Sequence, residues 1–406
     1  MEKLIIKGGN QLHGEINCSG AKNAGLPILA SSILFSESIL VGNLPHLKDI
    51  STMLELLNSM GSDICLEENG TLEIDSSNLT NPEARYELVK TMRASILVMG
   101  PLLAKYGKAK ISQPGGCNIG TRPIDFHLSG LEKMGAKINI DSKFIFLEAD
   151  ELKPINFSFP KISVTGTENL IMASIFTSGV TKLQNCAKEP EVVDLVNFLN
   201  SCGAKIHGAG TSNISITGVQ DLDGSEWHIL PDRIEAGTYL VAAAITNGHV
   251  KINNISDNLI LPTIKTLEKM GVAIRKGKDW VEVDATTSDL KSMDIETGPF
   301  PGFPTDMQAQ FMTLNCISQG SSLVTETVFE NRFQHVTELK KMGAKISLNN
   351  NQATIEGVSN LVGSNVSASD LRASASLVLA GLVGKNRTQI NDIYHIDRGY
   401  ECIEEK

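Results

Sequence analysis

Hydrophobic and polar positions follow one phrase that recurs five times along the chain. Each copy reads leucine, two polar residues, methionine or cysteine, glycine, a small residue, a variable residue and isoleucine. The copies lie at 57–64, 131–138, 199–206, 267–274 and 339–346, so their glycines are 74, 68, 68 and 72 residues apart. Each phrase predicts a helix that ends before a left-handed glycine, followed by a strand.

A second helical segment precedes each phrase. These segments are rich in alanine, serine, leucine and isoleucine and are hydrophobic on most sides, which predicts core helices. They begin near Lys22, Arg93, Glu168, Glu235, Gln308 and Arg372. Short alternating strands at 71–74, 144–147, 281–283 and 353–355 complete the pattern. The sequence therefore predicts an α/β fold in which a βαβαββ unit occurs six times, three in each of two domains.

The sixth unit has its first helix but no copy of the phrase. The next glycine of the series would fall beyond Lys406. We expect the last repeat to be incomplete, either because a terminal strand lies outside this sequence or because the repeat has degenerated.

Composition narrows the class of protein. The chain has 406 residues, and 41% of them are hydrophobic, which suits two soluble globular domains. Its formal charge of −10 argues against nucleic acid or an anionic membrane as partner. The seven cysteines form no CxxC pair, and the eight histidines show no metal-binding spacing. No apolar run is long enough to span a membrane, and nothing resembles a signal peptide, so we expect a cytoplasmic protein.

The stretch 114–127, Pro-Gly-Gly-Cys-Asn-Ile-Gly-Thr-Arg-Pro-Ile-Asp-Phe-His, contains a candidate reactive thiol. Cys117 lies on a glycine-rich loop, five residues before Arg122. A nearby guanidinium group favours the thiolate, so this cysteine can act as acid, base or nucleophile near neutral pH. The alternative is that Cys117 is a small buried hydrophobic residue.

Charged residues cluster where the core helices begin. Lys22 and Asn23 open the first helix, Arg93 the second, and Asp370 with Arg372 the sixth. A cation at a helix N-terminus is locally unfavourable, so repeated cations there indicate a bound anion. The alternative is that some of them are solvated residues of the first helical turn. Further arginines lie in loops, at 122, 332 and 398. Asp306 opens the fifth helix and is either a general base or an N-cap.

Together these motifs resemble the enolpyruvyl transferases, and the resemblance covers the whole chain. It is carried by Ser-Gly-Ala-Lys-Asn-Ala at 19–24, Thr-Met-Arg-Ala-Ser at 91–95, the cysteine loop, and the segments 303–308, 330–333, 370–373 and 397–400. The resemblance implies two inside-out α/β domains, each built from three βαβαββ repeats. The first would span 21–230, and the second would join 1–20 to 231–406, with the last repeat incomplete.

The resemblance also implies a reaction. The enolpyruvyl group of phosphoenolpyruvate would move to the 3-hydroxyl of UDP-N-acetylglucosamine with release of phosphate, as the first committed step of peptidoglycan synthesis. Such an enzyme serves cell wall biogenesis, cell shape and cell division. It would need no metal or organic cofactor, and its partners would be these two small molecules. The sequence leaves the oligomeric state open.

The implied roles follow the matching motifs. Cys117 would deliver a proton to the methylene carbon and can form a covalent adduct with phosphoenolpyruvate. Asp306 would take the proton of the attacking hydroxyl, Asp370 would assist, and Lys22 and Arg398 complete the catalytic set. The phosphoenolpyruvate site would comprise Lys22, Asn23, Arg93, Arg122, Arg372 and Arg398. The nucleotide-sugar site would comprise Arg93, Arg122, Pro123, Ile124, Asp125, Phe126, Ser163, Val164, Thr305, Asp306, Val328 and Phe329.

Two positions depart from the family pattern. Asn118 follows the cysteine where alanine is usual, and Thr165-Gly166 replaces Gly-Ala at the nucleotide-sugar wall. Three other functions are alternatives to this reaction. The chain could transfer enolpyruvate to another hydroxyl acceptor, or it could be a catalytically idle paralogue that binds the nucleotide sugar and regulates a partner. RNA-end processing on a similar fold is disfavoured by the acidic charge.

Overall fold

The computed structural model describes residues 2–84, 92–112 and 124–406. These residues divide into two compact units. One unit lies between Gly20 and Leu230, and the other joins residues 2–19 to Pro231–Lys406. Cys117, Arg122 and Pro123 lie outside the described residues, as do Asn118 and Thr91.

The described residues form eleven α-helices, five short 3₁₀ turns and twenty-three strands. The helices α1 to α11 span Lys22–Ser31, Lys48–Met60, Met99–Tyr106, Asp125–Lys133, Val164–Ala173, Pro190–Ser201, Arg233–Ile245, Leu261–Lys269, Gln308–Ile317, His335–Lys341 and Leu371–Val383. The 3₁₀ turns span Ser32–Leu34, Arg93–Val98, Asp257–Ile260, Thr305–Met307 and Ile393–His395. The strands β1 to β23 span Lys3–Lys7, His13–Asn17, Ile39–Gly42, Asp63–Leu66, Leu72–Asp75, Glu83–Ala84, Lys108–Ser112, Lys137–Ile140, Phe144–Glu148, Asn156–Ser158, Val180–Gln184, Lys205–His207, Asn213–Thr217, Glu226–His228, His249–Asn253, Ala273–Lys276, Trp280–Asp284, Ile295–Glu296, Ser321–Thr325, Lys345–Asn349, Gln352–Glu356, Asn365–Ser367 and Arg387–Asn391.

The described residues form six small sheets, of which five have four strands in the same order and the sixth has three. In the sheet β6-β7-β9-β8, strands β6 and β7 run parallel, and β7 and β9 run antiparallel. Strand β8, the third in chain order, pairs only with β9, the fourth. A helix connects the first strand to the second, and another connects the second to the third. The sheets β10-β11-β13-β12 and β18-β19-β21-β20 repeat this order. The predicted fold class, two α/β domains of three βαβαββ repeats, is confirmed.

Some sheets contain strands that are distant in the chain. One sheet of the unit between Gly20 and Leu230 takes a strand from the end of that unit, and two sheets of the other unit take strands from residues 2–19. The sheet β14-β3-β5-β4 takes its first strand, β14, from the end of the unit between Gly20 and Leu230. In the other unit β2 is the first strand beside β15. Its third sheet, β22-β23-β1, has three strands among the described residues, and β1 occupies the fourth-strand position antiparallel to β23.

The five phrases end their helices as predicted. All five glycines, at 61, 135, 203, 271 and 343, have φ between +92° and +112°. In every copy the N–H after the glycine donates to the carbonyl of the phrase's leucine; from Ala344 to Leu339 the distance is 3.1 Å. The methionine or cysteine carbonyl accepts from an N–H about twenty residues later, as from Val362 to Met342 at 2.8 Å. These bonds satisfy carbonyls that a helix end leaves without partners.

The predicted core helices are buried on nearly every side. In α7, for example, twelve of the thirteen residues are buried. Two of these helices begin earlier than predicted because a side chain caps them. Ser163 Oγ accepts from the Gly166 N–H, so α5 begins at Val164. Asp232 accepts from the N–H groups of Ile234 and Glu235, so α7 begins at Arg233. Among the described residues, every helix is too short or too polar to cross a membrane.

Replacing Gly343 with alanine tests the left-handed helix ends. A Cβ at Gly343 would meet no atom within 4 Å, so the cost comes from the φ of +92° alone. We expect the free energy of unfolding to fall by about 1–2 kcal/mol in urea titrations. Gly298→Ala is the matched control, since Gly298 has equal space and its φ lies outside the left-handed range. Equal losses in the two variants would contradict the prediction.

Candidate active site

Lys22 and Asn23 open α1 and differ in exposure. The Lys22 side chain is 7% exposed, and its Nζ lies 3.1 Å from Oδ2 of Asp49, whose side chain is 8% exposed. Asp49 lies in the first turn of α2. A buried ammonium requires such a partner because desolvation otherwise favours its neutral form. Asn23 is the exposed residue of a helix whose other nine residues are buried. Sequence reasoning missed Asp49, because an acid in a first helical turn is ordinary.

Arg93 opens the 3₁₀ turn Arg93–Val98 and is half-buried. Burial lowers the pKa of its guanidinium below the ordinary value. It lies near His127, whose pKa is lowered to about 4, mainly by burial and further by the charge of Arg93. His127 is therefore a neutral imidazole at physiological pH.

His127 belongs to a buried hydrogen-bond network. Asn169 Nδ2 donates to His127 Nδ1 at 3.0 Å, so His127 Nε2–H donates to Thr165 Oγ1 at 3.2 Å. Asn169 Oδ1 also accepts from the Gly100 N–H at 2.6 Å. The network joins α3, α4 and α5. It supports the start of α4, where Ile124, Asp125 and Phe126 lie.

Several predicted nucleotide-sugar residues of this unit are close in sequence to members of that network. Asp125 is exposed, and Ile124 and Phe126 are half-buried. Ser163 caps α5, and Val164 is its first residue. Thr165 is one of the two positions that depart from the family pattern, and it is the hydroxyl that accepts from His127. The described sequence neighbours thus lie at the starts of α4 and α5.

In the other unit Asp306 lies between two arginines. Its Oδ1 accepts from Arg332 Nη2 at 2.7 Å, and its Oδ2 accepts from Arg372 Nη2 at 3.1 Å. The side chains of Arg332 and Arg372 are 5% and 3% exposed, whereas that of Asp306 is 26% exposed. Burial lowers the pKa of Arg372, but its interactions with Asp306, Tyr400 and Asp232 together outweigh burial and raise that pKa. Asp306 is not an N-cap, because the 3₁₀ turn Thr305–Met307 begins after Pro304.

A second polar network contacts the backbone of Asp306. The hydroxyl of Tyr400 lies 2.9 Å from Thr238 Oγ1 and accepts from Gln310 Nε2 at 3.2 Å. Gln310 Nε2 also donates to the Asp306 carbonyl at 2.9 Å. The guanidinium carbon of Arg372 lies 5.5 Å from the centre of the Tyr400 ring. Tyr400 therefore connects α7 and α9 to the residues that hold Asp306.

Asp370 and Arg398 lie at the start and beside the start of α11. Asp370 is buried and caps the helix, accepting from the N–H groups of Arg372 and Ala373 at 2.8 and 3.0 Å. Burial, partly opposed by the Asp370 charge, lowers the pKa of the adjacent His335 to about 4. Arg398 is half-buried, and its charge helps burial to lower the pKa of His395. A Cβ on Gly399 would lie 2.0 Å from Leu371 Cδ1, so this glycine allows close approach to α11.

The four buried cysteines among the described residues are not activated thiols. Cys18, Cys186, Cys202 and Cys316 are buried, and burial raises the pKa of Cys186 and Cys202 to about 11 and that of Cys316 to about 12. All six described cysteines are free of disulfides. Within residues 2–84, 92–112 and 124–406 no three His, Cys, Asp or Glu side chains could hold a metal ion.

Comparisons with known proteins identify the relatives of this chain. A family model described as EPSP synthase (3-phosphoshikimate 1-carboxyvinyltransferase) matches residues 6–406. Proteins named UDP-N-acetylglucosamine 1-carboxyvinyltransferase from two Coxiella burnetii strains, Dugway 5J108-111 and RSA 493 / Nine Mile phase I, are each 53% identical over 407 aligned residues. These matches cover 100% of this chain and 94% of the relatives.

Solved structures show the same fold. The enolpyruvyl transferase NikO from Streptomyces tendae superposes with a TM-score of 0.90 at 24% identity, covering 99% of this chain and 96% of that one. EPSP synthase from Acinetobacter baumannii gives a TM-score of 0.74 at 19% identity, covering 97% of this chain and 94% of that one.

The buried pair of Lys22 and Asp49 yields a prediction about stability. Asp49→Asn leaves a buried ammonium without its carboxylate, so the free energy of unfolding should fall by about 3 kcal/mol in urea titrations. Adding Lys22→Met should recover part of the loss. Glu83→Gln is the control, because it breaks a pair whose side chains are 34% exposed and should cost less than about 1 kcal/mol. Equal losses in the two single variants would refute a special cost of burial.

The low pKa of His127 predicts a pH dependence. The pKa of His127 in the folded protein, about 4, lies below the ordinary 6.5. The contribution of neutral His127 to the free energy of unfolding is therefore fully present above pH 6.5 and is lost as the pH falls toward 4. Between pH 7 and 4.5 the free energy of unfolding should fall about 2 kcal/mol less in His127→Gln than in the wild type. His207→Gln, at an exposed position of the same unit, should keep the wild-type dependence. An unchanged pH dependence in His127→Gln would contradict the assignment.

Proposed function

The chain belongs to the EPSP synthase family of enolpyruvyl transferases, and from that membership we propose that it is a UDP-N-acetylglucosamine 1-carboxyvinyltransferase. It transfers the enolpyruvyl group of phosphoenolpyruvate to the 3-hydroxyl of the sugar and releases phosphate. The observation that carries the proposal is 53% identity, over the full chain, to relatives of that name. The reaction is the first committed step of peptidoglycan synthesis, and it supports cell wall biogenesis, cell shape and cell division in the cytoplasm.

The charges of the described residues support anionic substrates. Arg332, Arg372 and Asp306 together carry one net positive charge, and Arg372 is nearly fully buried. Among the described residues, Nε and Nη1 of Arg372 have no hydrogen-bond partner, although both atoms are buried. A buried guanidinium group gains most from an acceptor that fits its planar fork, such as a carboxylate or phosphate. We assign Arg372, with Lys22, Asn23, Arg93, Arg122 and Arg398, to phosphoenolpyruvate.

The proposed chemistry is addition followed by elimination. The 3-hydroxyl oxygen forms a bond to C2 of phosphoenolpyruvate, Asp306 takes the hydroxyl proton, and Cys117 gives a proton to C3. In the second step the C2–O bond to phosphate breaks as C3 loses a proton, with Asp370 assisting. Asp306 suits its role because two arginines hold both oxygens while a quarter of its side chain stays exposed. Cys117 can also form the covalent adduct with phosphoenolpyruvate.

The nucleotide sugar is assigned to two sets of residues. Arg93, Arg122, Pro123, Ile124, Asp125, Phe126, Ser163 and Val164 belong to one set of segments, and Thr305, Asp306, Val328 and Phe329 belong to the other. The buried network of His127 supports this assignment, because its hydrogen bonds fix the start of α4 to α5. The two units of the structure are proposed as the two enolpyruvyl-transferase domains.

Release of inorganic phosphate from phosphoenolpyruvate tests the function and the role of the thiol. We expect release only when UDP-N-acetylglucosamine is present, and a loss of about a hundredfold or more in Cys117→Ala, because a proton donor contributes at least that much. Cys65→Ala, at an exposed free cysteine, is the control and should keep wild-type activity.

The other outcomes separate the alternatives. Phosphate release that ignores UDP-N-acetylglucosamine but needs a different alcohol would favour another hydroxyl acceptor. A folded chain that binds the nucleotide sugar in calorimetry but releases no phosphate would be the idle, regulatory paralogue. Either result would contradict the proposed function.

A further inference from the structure

Glu326 is a buried carboxylate that accepts four hydrogen bonds. It follows strand β19 directly and is 2% exposed. Its Oε1 accepts from Thr297 Oγ1 at 2.8 Å and from the N–H groups of Val328 and Phe329 at 2.8 and 3.2 Å. Its Oε2 accepts from Thr305 Oγ1 at 2.8 Å. One side chain thus holds three separate segments of the chain.

These contacts determine the hydrogen-bonding character of Thr305. A carboxylate only accepts hydrogen bonds, so the Thr305 hydroxyl must direct its proton toward Glu326. The remaining lone pairs of the hydroxyl oxygen can then only accept. Thr305 is half-buried, so part of the residue is accessible to a bound molecule. Glu326 therefore makes Thr305 a hydrogen-bond acceptor toward a bound molecule.

The same carboxylate belongs to a closed ring of contacts that includes Asp306. Phe329, whose N–H donates to Glu326, has its ring 5.3 Å from the guanidinium carbon of Arg332. Arg332 donates to Asp306 at 2.7 Å, and Asp306 follows Thr305 in the chain. The ring returns to Glu326 through the Thr305 hydroxyl. Moving Glu326 would therefore disturb both the residues assigned to the nucleotide sugar, Thr305, Val328 and Phe329, and the proposed base Asp306.

We propose that Glu326 is a positioning residue for the nucleotide sugar. It sets the direction of the Thr305 hydroxyl and holds Val328 and Phe329 in place. This inference rests on the proposed function, which assigns those three residues to UDP-N-acetylglucosamine. Glu326 itself does not touch the reacting atoms.

Glu326→Gln separates the two parts of this role. The glutamine oxygen must face the three donors at the Oε1 position, so its NH₂ group faces Thr305 and donates to it. The Thr305 hydroxyl then reverses and becomes a donor toward the ligand, while the backbone contacts persist. We expect KM and Kd for UDP-N-acetylglucosamine to rise about tenfold, the equivalent of about 1.4 kcal/mol. The kcat and the KM for phosphoenolpyruvate should change less than about twofold.

Two further variants test whether the effect passes through Thr305. Thr305→Val should also raise the KM for the nucleotide sugar about tenfold, and adding Glu326→Gln to it should cost less than a further twofold. Independent effects that multiply to about a hundredfold would overturn the inference.

Glu326→Ala removes all four contacts, so it should raise the KM for the nucleotide sugar and lower kcat as well. Glu296→Gln, at an exposed neighbouring acid, is the matched control and should match the wild type.

The outcomes distinguish failure of the inference from failure of the proposed function. A wild-type chain that releases no phosphate with both substrates contradicts the proposed function, and the inference falls with it. A wild-type chain that turns over while folded Glu326→Gln keeps its KM and Kd contradicts the inference alone. Thermal unfolding of each variant shows that it is folded, and Thr305→Val supplies the test if Glu326→Gln is not.

Discussion

Complete burial of the core helices is the constraint on which each unit of this structure depends. A helix that is covered on every side has no solvent to satisfy its polar side chains, so another protein group must pair with them. Asn169 meets this demand by bonding to His127, the Ile96 carbonyl and the Gly100 N–H. Thr238 and Gln310 meet it around the Tyr400 hydroxyl. These networks fix the helices against one another. They also include direct neighbours of candidate site residues, since Gln310 donates to the Asp306 carbonyl and His127 follows Phe126 in the chain.

The same constraint explains why the buried cations Lys22 and Arg372 are each paired with a carboxylate. Lys22 is compensated by Asp49, and Arg372 by Asp306. A buried pair of this kind adds little to stability, because desolvation costs about as much as the attraction gains. Its effect is to hold charged groups in one orientation without water. Such groups stabilise developing charge more strongly than groups that must reorient during the reaction.

Local patterns were predictable from the sequence, and distant pairings were not. The glycines of the five phrases were predicted in the left-handed conformation because helix ends depend on neighbouring residues, and the structure confirms all five. The helices α5 and α7 begin before the positions that the apolar pattern predicts, because Ser163 and Asp232 cap them. Asp49 and Glu326 were missed for a different reason. The partner of Asp49 lies 27 positions away, and Glu326 bonds to Thr297, 29 positions away, so no local pattern marks either residue.

Asp306 and Asp370 show how two similar sequence positions acquire different chemistry. Both precede a core helix, and the sequence left Asp306 equally suited to capping or catalysis. Asp370 directs one oxygen, Oδ1, at two backbone N–H groups and is 5% exposed, so capping occupies that oxygen. Asp306 is relieved of capping because the 3₁₀ turn Thr305–Met307 begins after Pro304, and its carboxylate accepts from two side chains instead. With 26% of its side chain exposed, Asp306 is the more accessible carboxylate of the two, which favours it for the proposed role of base.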